Sequence, residues 1–132
     1  MPTANTAQTT TVNTVWSPIF ERALPNVERK TFTSVLIEFP PSSAAAPHRH
    51  GAAFVWVYVL AGAIRIKLND EPIRSCRAGE SWSEEPSTRH LLAENNSTTE
   101  PAKLLAVFIS SPGDPPKVDD AGKPDSLGPR PA

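Results

Sequence analysis

Residues 47–62 of this 132-residue chain read P-H-R-H-G-A-A-F-V-W-V-Y-V-L-A-G. Residues i and i+2 of an extended strand face the same side, so His48 and His50 can direct both imidazoles at one point. The segment Ala53–Leu60 that follows is almost entirely β-branched or aromatic, which predicts a strand with both faces covered. Ala61–Gly62 interrupts that strand. The stretch therefore predicts a histidine pair leading into a central β-strand.

Strand patterns continue on both sides of this stretch. Apolar residues alternate with polar ones before it and after it, as in strands that bury one face. The alternating strands are Val35–Phe39 and Ile64–Leu68. Further short strands are predicted at Ile73–Arg77, Ser81–Glu84 and Leu91–Glu94, and a last strand, Lys103–Ser110, is apolar on both faces. Short strands at about ten-residue spacing are typical of an all-β sandwich or barrel. Only Ile19–Leu24 is compatible with a helical turn.

Composition limits the remaining possibilities. Thirteen Lys and Arg residues balance 14 acids, so a nucleic-acid surface is not expected. No apolar run is long enough to span a membrane and no secretory signal is visible, so a cytoplasmic protein is expected. The single cysteine, Cys76, is interpreted as a packed strand residue rather than a nucleophile.

The chain is expected to form one domain with two loose ends. Residues 1–14 are rich in threonine and offer little to bury, so they are predicted to be a flexible arm. Residues 111–132 are rich in proline and are predicted to form a tail, either extended across the barrel or disordered. The globular part is then residues 15–110.

The third histidine completes a candidate metal site. His90 directly precedes the apolar pair Leu91-Leu92, and strands distant in sequence can converge inside a barrel. Imidazole binds several transition metals, so His48, His50 and His90 are predicted to hold one divalent ion. Iron is the first expectation, with zinc, nickel, manganese or copper as alternatives.

The chain resembles the cupin superfamily, whose motifs are G-x5-H-x-H-x3-4-E-x6-G and G-x5-P-x-G-x2-H-x3-N. His48-Arg49-His50 and the ending Tyr58–Gly62 match the first motif, while Gly79, Pro86, His90 and Asn95 match the second with small shifts. Sixteen residues separate Gly62 from Gly79. Serines stand at two motif glycines, Ser42 and Ser87. The resemblance implies a double-stranded β-helix, or jelly-roll barrel, and covers residues 30–110.

The glutamate of the first motif is missing. Counting back from Gly62 places it at Val55, and counting forward from His50 places it at Phe54. Both positions are apolar, which leaves two explanations. One is a working three-histidine centre, similar to the cupin thiol and β-diketone dioxygenases; the other is a site that has lost its metal. Three neutral ligands would leave the full +2 charge on the ion and favour an anionic or chelating substrate.

Other residues are candidates for substrate chemistry. Glu84 and Tyr58 are candidate catalytic acids or bases, and Glu85 is a further one. The candidate substrate contacts are Phe54, Trp56, Trp82 and Arg89, although aromatic stripes of this kind are more often barrel core. Arg49 lies between two ligands and is expected to point away from them.

Two functional hypotheses follow. The first is a metal-dependent enzyme acting on a small organic molecule, either as an oxygen-dependent dioxygenase or as a Lewis-acid isomerase or lyase. The second is a non-catalytic cupin that binds or senses a small ligand. The resemblance also implies a homodimer, in which the N-terminal arm or Trp16–Phe20 covers the sheet edge of a partner.

Overall fold

The computed structural model describes residues 14–114 and the backbone of residues 118–119. The described residues form strands and turns only, and none of them belongs to a helix that could cross a membrane. The strands are β1 (Val15–Ala23), β2 (Thr31–Phe39), β3 (Ala44–Ala45), β4 (His48–Arg49), β5 (Phe54–Ala61), β6 (Ala63–Leu68), β7 (Arg74–Arg77), β8 (Ser81–Glu84), β9 (Arg89–Glu94), β10 (Ala102–Ser110) and β11 (Val118–Asp119). The all-β prediction is confirmed.

The strands form two antiparallel sheets. One has the order β1-β2-β10-β5-β8, and the other has the order β11-β4-β9-β6-β7, with β3 also paired to β9. Strands distant in sequence are neighbours in both sheets, as a jelly roll requires. Because β4 and β9 pair directly, the topology brings the two halves of the motif pattern together.

The core lies between the sheets and is built by alternate residues of each strand. From the five-stranded sheet come Val35 and Ile37 of β2 and Val59 of β5, all 6% exposed or less. From the other sheet come Ile64 and Ile66 of β6, which are fully buried. Full burial of such a side chain contributes about 1.5–3 kcal/mol, so these alternating positions are the main source of stability.

The outer face of β5 corrects one expectation. Val55, Val57 and Val59 face the core, but Phe54 and Trp56 are each 38% exposed, so β5 is not covered on both faces. A jelly-roll sheet packs one face on its partner sheet, and none of the described elements packs over the other face of β5. The aromatic run resembled a doubly buried strand because its outward residues are as apolar as its inward ones.

Turns at the motif positions have left-handed backbones. Gly62 has φ +75°, and a Cβ placed there would lie 2.7 Å from the Pro101 carbonyl oxygen, so only glycine fits. Ser42 (φ +62°) and Ser87 (φ +71°) keep the same conformation where the motifs have glycine. The turn geometry therefore persists although the glycines do not.

Two further predictions concern a helical turn near the start of the chain and the single cysteine. Most of Ile19–Leu24, the segment compatible with a helical turn, belongs to β1 instead, which pairs with β2 at the edge of its sheet. Cys76 is buried in β7, and burial raises the pKa of its thiol, partly offset by Arg74. A raised pKa disfavours the thiolate, which agrees with a packing role.

The two predicted loose ends fall mostly outside the described residues, which exclude residues 1–13, 115–117 and 120–132. Within the tail, the backbone of Val118–Asp119 pairs with His48–Arg49 and adds β11 beside β4. This part of the tail is therefore extended along the sheet at the strand that carries the first histidine.

Candidate metal centre

The three histidines converge inside the barrel. His48 lies on β4, His50 follows that strand directly, and His90 lies opposite His48 in the β4–β9 pair. One ring nitrogen from each lies within 4.8 Å of the others, and all three side chains are buried. Three buried imidazoles around one point form a donor set that suits a transition-metal ion.

The ring of His48 is fixed by its own loop. Its Nδ1 lies 2.8 Å from the carbonyl oxygen of Ala46, and because a carbonyl only accepts, Nδ1 donates the proton. Nε2 is then the deprotonated nitrogen of this ring. A metal-binding histidine typically has such an outer partner, which sets both its tautomer and its orientation.

A carboxylate also lies in this cluster. Glu84 of β8 is 2% exposed, with Oε1 3.4 Å from Nε2 of His50 and Oε2 3.1 Å from Nδ1 of His90. The Trp82 indole N–H donates a hydrogen bond of 2.9 Å to Oε2. Val55 and Phe54, the two positions counted for the motif glutamate, are apolar, and the candidate acid Glu84 brings a carboxylate to the cluster from β8.

The environment of Glu84 favours its ionised form. Burial has the largest single effect and raises the pKa of the carboxyl. The contact with His90, the charge of nearby His50 and the Trp82 hydrogen bond together outweigh burial and hold the pKa below its ordinary value. The carboxylate form is also the one in which an acid coordinates a cation.

The lack of hydrogen-bond partners for several donor atoms indicates that the site suits a metal ion. Among the described residues, Glu84 Oε1 and both ring nitrogens of His90 are buried without a hydrogen-bond partner. His90 Nδ1 is close to Glu84 Oε2, but the two atoms lack hydrogen-bond geometry. Unpartnered buried polar atoms cost about 1–3 kcal/mol each, and a cation would satisfy Glu84 Oε1 or one of the two His90 nitrogens, or both of these together.

The cavity around these donors is small and has apolar walls. It holds about 30 Å³ of free space, roughly enough for one or two water-sized groups. Its walls include Trp16 of β1, Ile37 of β2 and Phe108 of β10, and the Phe108 ring packs on His50 with centroids 5.2 Å apart. Such a site admits few heavy atoms beside an ion.

The other predicted site residues are divided between the inside and the outside of the barrel. Trp82 is buried and lines the cavity with Glu84. Phe54, Trp56 and Tyr58 point outward from β5, where Trp56 stacks on Tyr58 with ring centroids 5.9 Å apart. Arg89 is exposed because it alternates with inward-facing His90. Of the four predicted substrate contacts, Trp82 lines the cavity with the histidines, whereas Phe54, Trp56 and Arg89 do not.

Trp16 and Phe108 line the cavity and were not identified from the sequence. Phe108 lies at an inward position of β10, but this strand is apolar on both faces, so its sequence alone does not show which side Phe108 faces. Trp16 lies in a strand with mostly exposed side chains, and no sequence pattern distinguishes it. The sheet order brings it into place, through its pairing with Ile37 of β2.

The chain belongs to the cupin family: the family model described as "Cupin domain" matches residues 35–108. That match contains all three histidines and Glu84. A search of curated proteins finds no match for this sequence.

Solved structures support the same fold. The cupin domain of Schizosaccharomyces pombe Cnp3 aligns with a TM-score of 0.62 at 14% identity, over 76% of this chain and 65% of that one. An oxalate oxidase in complex with the substrate analogue glycolate aligns at 0.54 and 22%, over 60% and 42%. The DMSP lyase DddQ from Ruegeria pomeroyi DSS-3 aligns at 0.60 and 16%, over 70% and 45%. This chain thus spans less than two thirds of each of these proteins.

Proposed function

We propose that this protein is a metal-dependent cupin enzyme that acts on a small organic substrate. The observation that carries the proposal is the cluster of His48, His50 and His90, buried around a cavity that Glu84 also lines. A surface group of histidines would be solvated, whereas this one leaves polar atoms without partners in an apolar chamber. Polar groups buried at such cost are typical of functional sites.

When bound, the ion would supply Lewis acidity and, in the case of iron, the redox capacity for an oxygen-dependent reaction. The surrounding residues supply position and exclusion of water. The Ala46 carbonyl holds the ring of His48, Trp82 holds Glu84, and Phe108 covers one side of His50. An apolar wall strengthens the electrostatic interactions inside it.

The size of the cavity indicates the substrate class. The free space of about 30 Å³ beside the histidines favours a ligand of a few heavy atoms. The described residues that line the cavity include no Lys or Arg, so an anionic substrate would depend on the ion for its charge partner. A small organic acid fits both conditions, and two aligned proteins are named for reactions of small molecules, oxalate and DMSP.

Turnover assays test this proposal. Protein loaded with Fe²⁺, Mn²⁺ or Zn²⁺ would be incubated with oxalate, glycolate and DMSP while oxygen uptake and products are measured, beside a His48→Ala, His90→Ala variant. Turnover that requires oxygen supports the dioxygenase or oxidase class, and turnover without oxygen supports the lyase or isomerase class. Equal activity in the variant, or none in any metal form across a broader panel of small acids, would contradict the enzyme proposal.

A second candidate is a cupin that binds a small ligand without chemistry. Tyr58 faces outward and Glu85 is exposed, so among the described residues Glu84 is the single acid that lines the cavity. If Glu84 serves the ion, no separate acid or base remains for proton transfer. Calorimetric binding of a small acid to the metal-loaded protein, without conversion over hours, would favour this candidate.

A homodimer is proposed from the outer face of the five-stranded sheet. Phe20, Phe54, Trp56 and Leu60 are 38–54% exposed, and apolar surface of this extent often marks an interface. Trp56→Lys should lower the mass measured by light scattering from two chains to one, while Ser75→Lys on exposed β7 should leave it unchanged. A monomeric wild-type chain would contradict the proposal.

A further inference from the structure

We propose that Glu84 is a fourth metal ligand, and that β8 thereby supplies from across the strand pair the carboxylate that the first cupin motif places on β5. The inference rests on the proposed metal site and deepens it. It differs from the expectations of the sequence, which gave three histidine ligands and treated Glu84 as an acid or base.

Strand register places the two positions opposite each other. Val55 and Glu84 are directly paired residues of β5 and β8, and they are 1% and 2% exposed. Both side chains line the cavity. Directly paired residues on one face have Cβ atoms about 4.5–5.5 Å apart, which is within the reach of a glutamate side chain. A carboxylate can therefore arrive at the same region of the cavity from either strand.

The structure also indicates which of the two positions, Val55 or Phe54, corresponds to the motif glutamate. Phe54 is outward-facing and 38% exposed, whereas Val55 faces the histidines, so the motif glutamate corresponds to Val55. The residue that replaces it is apolar, while its cross-strand partner is the acid. The pair thus has one carboxylate and one apolar side chain, with the carboxylate on β8 rather than on β5, where the motif would place it.

The carboxylate lies beside two of the three histidines, while the group of donor atoms that all lie within 4.8 Å of one another consists of the histidines alone. Oxygen and nitrogen atoms bound to one ion at about 2.0–2.2 Å lie roughly 3.0–3.5 Å from each other. Glu84 Oε1 is 3.4 Å from His50 Nε2, and Oε2 is 3.1 Å from His90 Nδ1. Oε2 lies between His90 Nδ1 and the Trp82 indole N–H, whereas Oε1 has no hydrogen-bond partner among the described residues and is the oxygen available to an ion.

Trp82 orients the carboxylate. Residues 82 and 84 share the inner face of β8, and the indole N–H donates to Oε2 at 2.9 Å, which leaves Oε1 without a protein donor. An outer donor on one oxygen is a common way of fixing a carboxylate ligand. With Glu84 bound, the net charge of a divalent ion and its protein ligands falls from +2 to +1.

Metal binding by paired variants tests the inference. Apo protein without an affinity tag would be titrated with Co²⁺ and Zn²⁺, with affinity measured by chelator competition and the Co²⁺ absorption spectrum recorded. Glu84→Gln retains the shape and an acceptor for Trp82, and we expect it to weaken binding at least about 100-fold and to change the spectrum. That loss exceeds the roughly 10–100-fold typical of an outer partner. Glu85→Gln, at the exposed neighbouring acid, should bind as wild type does.

The exchange of the pair is the sharper comparison. Glu84→Val should lose binding, and Val55→Glu combined with Glu84→Val should recover it to within about tenfold of wild type. The inference is overturned if Glu84→Gln binds less than about 100-fold more weakly than Glu85→Gln, the range of an outer partner, or if a folded exchanged variant binds as weakly as Glu84→Val. If wild type itself binds neither ion, the proposed metal function fails as well; if only the Glu84 comparison fails, that function stands. Should the exchanged variant not fold, Glu84→Gln alone decides.

Discussion

The two cupin motifs contribute to the site in unequal ways. The first supplies His48 and His50 and, on β5, an apolar wall at Val55; the second supplies His90 together with Glu84 and its partner Trp82. Measured along the sequence, the first motif has lost a ligand. Measured across the β5–β8 pair, the carboxylate is still in the cavity. A sequence motif specifies ligands at fixed positions along the chain, whereas residues on different strands of the barrel can reach the same cavity.

Metal removal should produce the largest effect on both halves together. An ion present at about 1,000 times its dissociation constant stabilises the fold by about 4.1 kcal/mol, which corresponds to a rise in Tm of about 15–30 °C for a domain of this size. Calorimetry with and without a chelator measures it. His48→Ala and His90→Ala, one from each motif, should both abolish the shift. If either variant kept the full metal-dependent rise in Tm, the histidine that it lacks would not be needed for metal binding.

The motif glycines should differ in their tolerance of a side chain. Gly62, at the end of the first motif, has φ +75° and no room for a Cβ, because the Pro101 carbonyl oxygen is 2.7 Å away. Gly79, at the start of the second, has φ +92° but open space around it. We expect Gly62→Ala to lower the free energy of unfolding by about 3 kcal/mol and Gly79→Ala by about 1 kcal/mol. Urea denaturation measures both, and equal losses would contradict the packing argument.

Asn95, which ends the second motif, should stabilise the fold through hydrogen bonds rather than contribute to the metal site. Its Nδ2 donates to the carbonyl oxygens of Phe39, Pro40 and Glu100, and its Oδ1 accepts from the Ser97 N–H. Asn95→Ala should lower stability by about 2–3 kcal/mol, since these groups lose their partner. Exposed Asn96→Ala is the matched control. Metal affinity should be unchanged in both variants if they are folded, and a selective loss in Asn95→Ala would assign it to the site.

The serines at motif glycine positions should give the smallest effect. Ser42 and Ser87 are exposed and have φ of +62° and +71°, a conformation that costs a residue with a Cβ about 1 kcal/mol. Ser42→Gly and Ser87→Gly should therefore each stabilise the fold by about 0.5–1 kcal/mol in thermal or urea unfolding. A loss of stability in either variant would show that its side chain makes a contact worth more than the strain.

The sequence was sufficient for the strands and the histidine cluster because both depend on period-two patterns. His48 and His50 share a face by spacing alone, and Val35, Ile37 and Phe39 mark an inward face. The sequence was a poorer guide to those side-chain positions that depend on how the strands pair. The aromatic side chains of β5 could not be assigned to the inside or the outside, since both faces are apolar. Glu84 could not be placed opposite Val55 without the register of β8.

Elemental analysis of protein purified without a metal-affinity tag tests the central claim most directly, in wild type and in the His48→Ala, His90→Ala variant. The account predicts about one equivalent of a transition metal per wild-type chain and essentially none in the folded variant. Wild type that remains metal-free after anaerobic reconstitution, or a variant that keeps its metal, would contradict a metal centre at these residues.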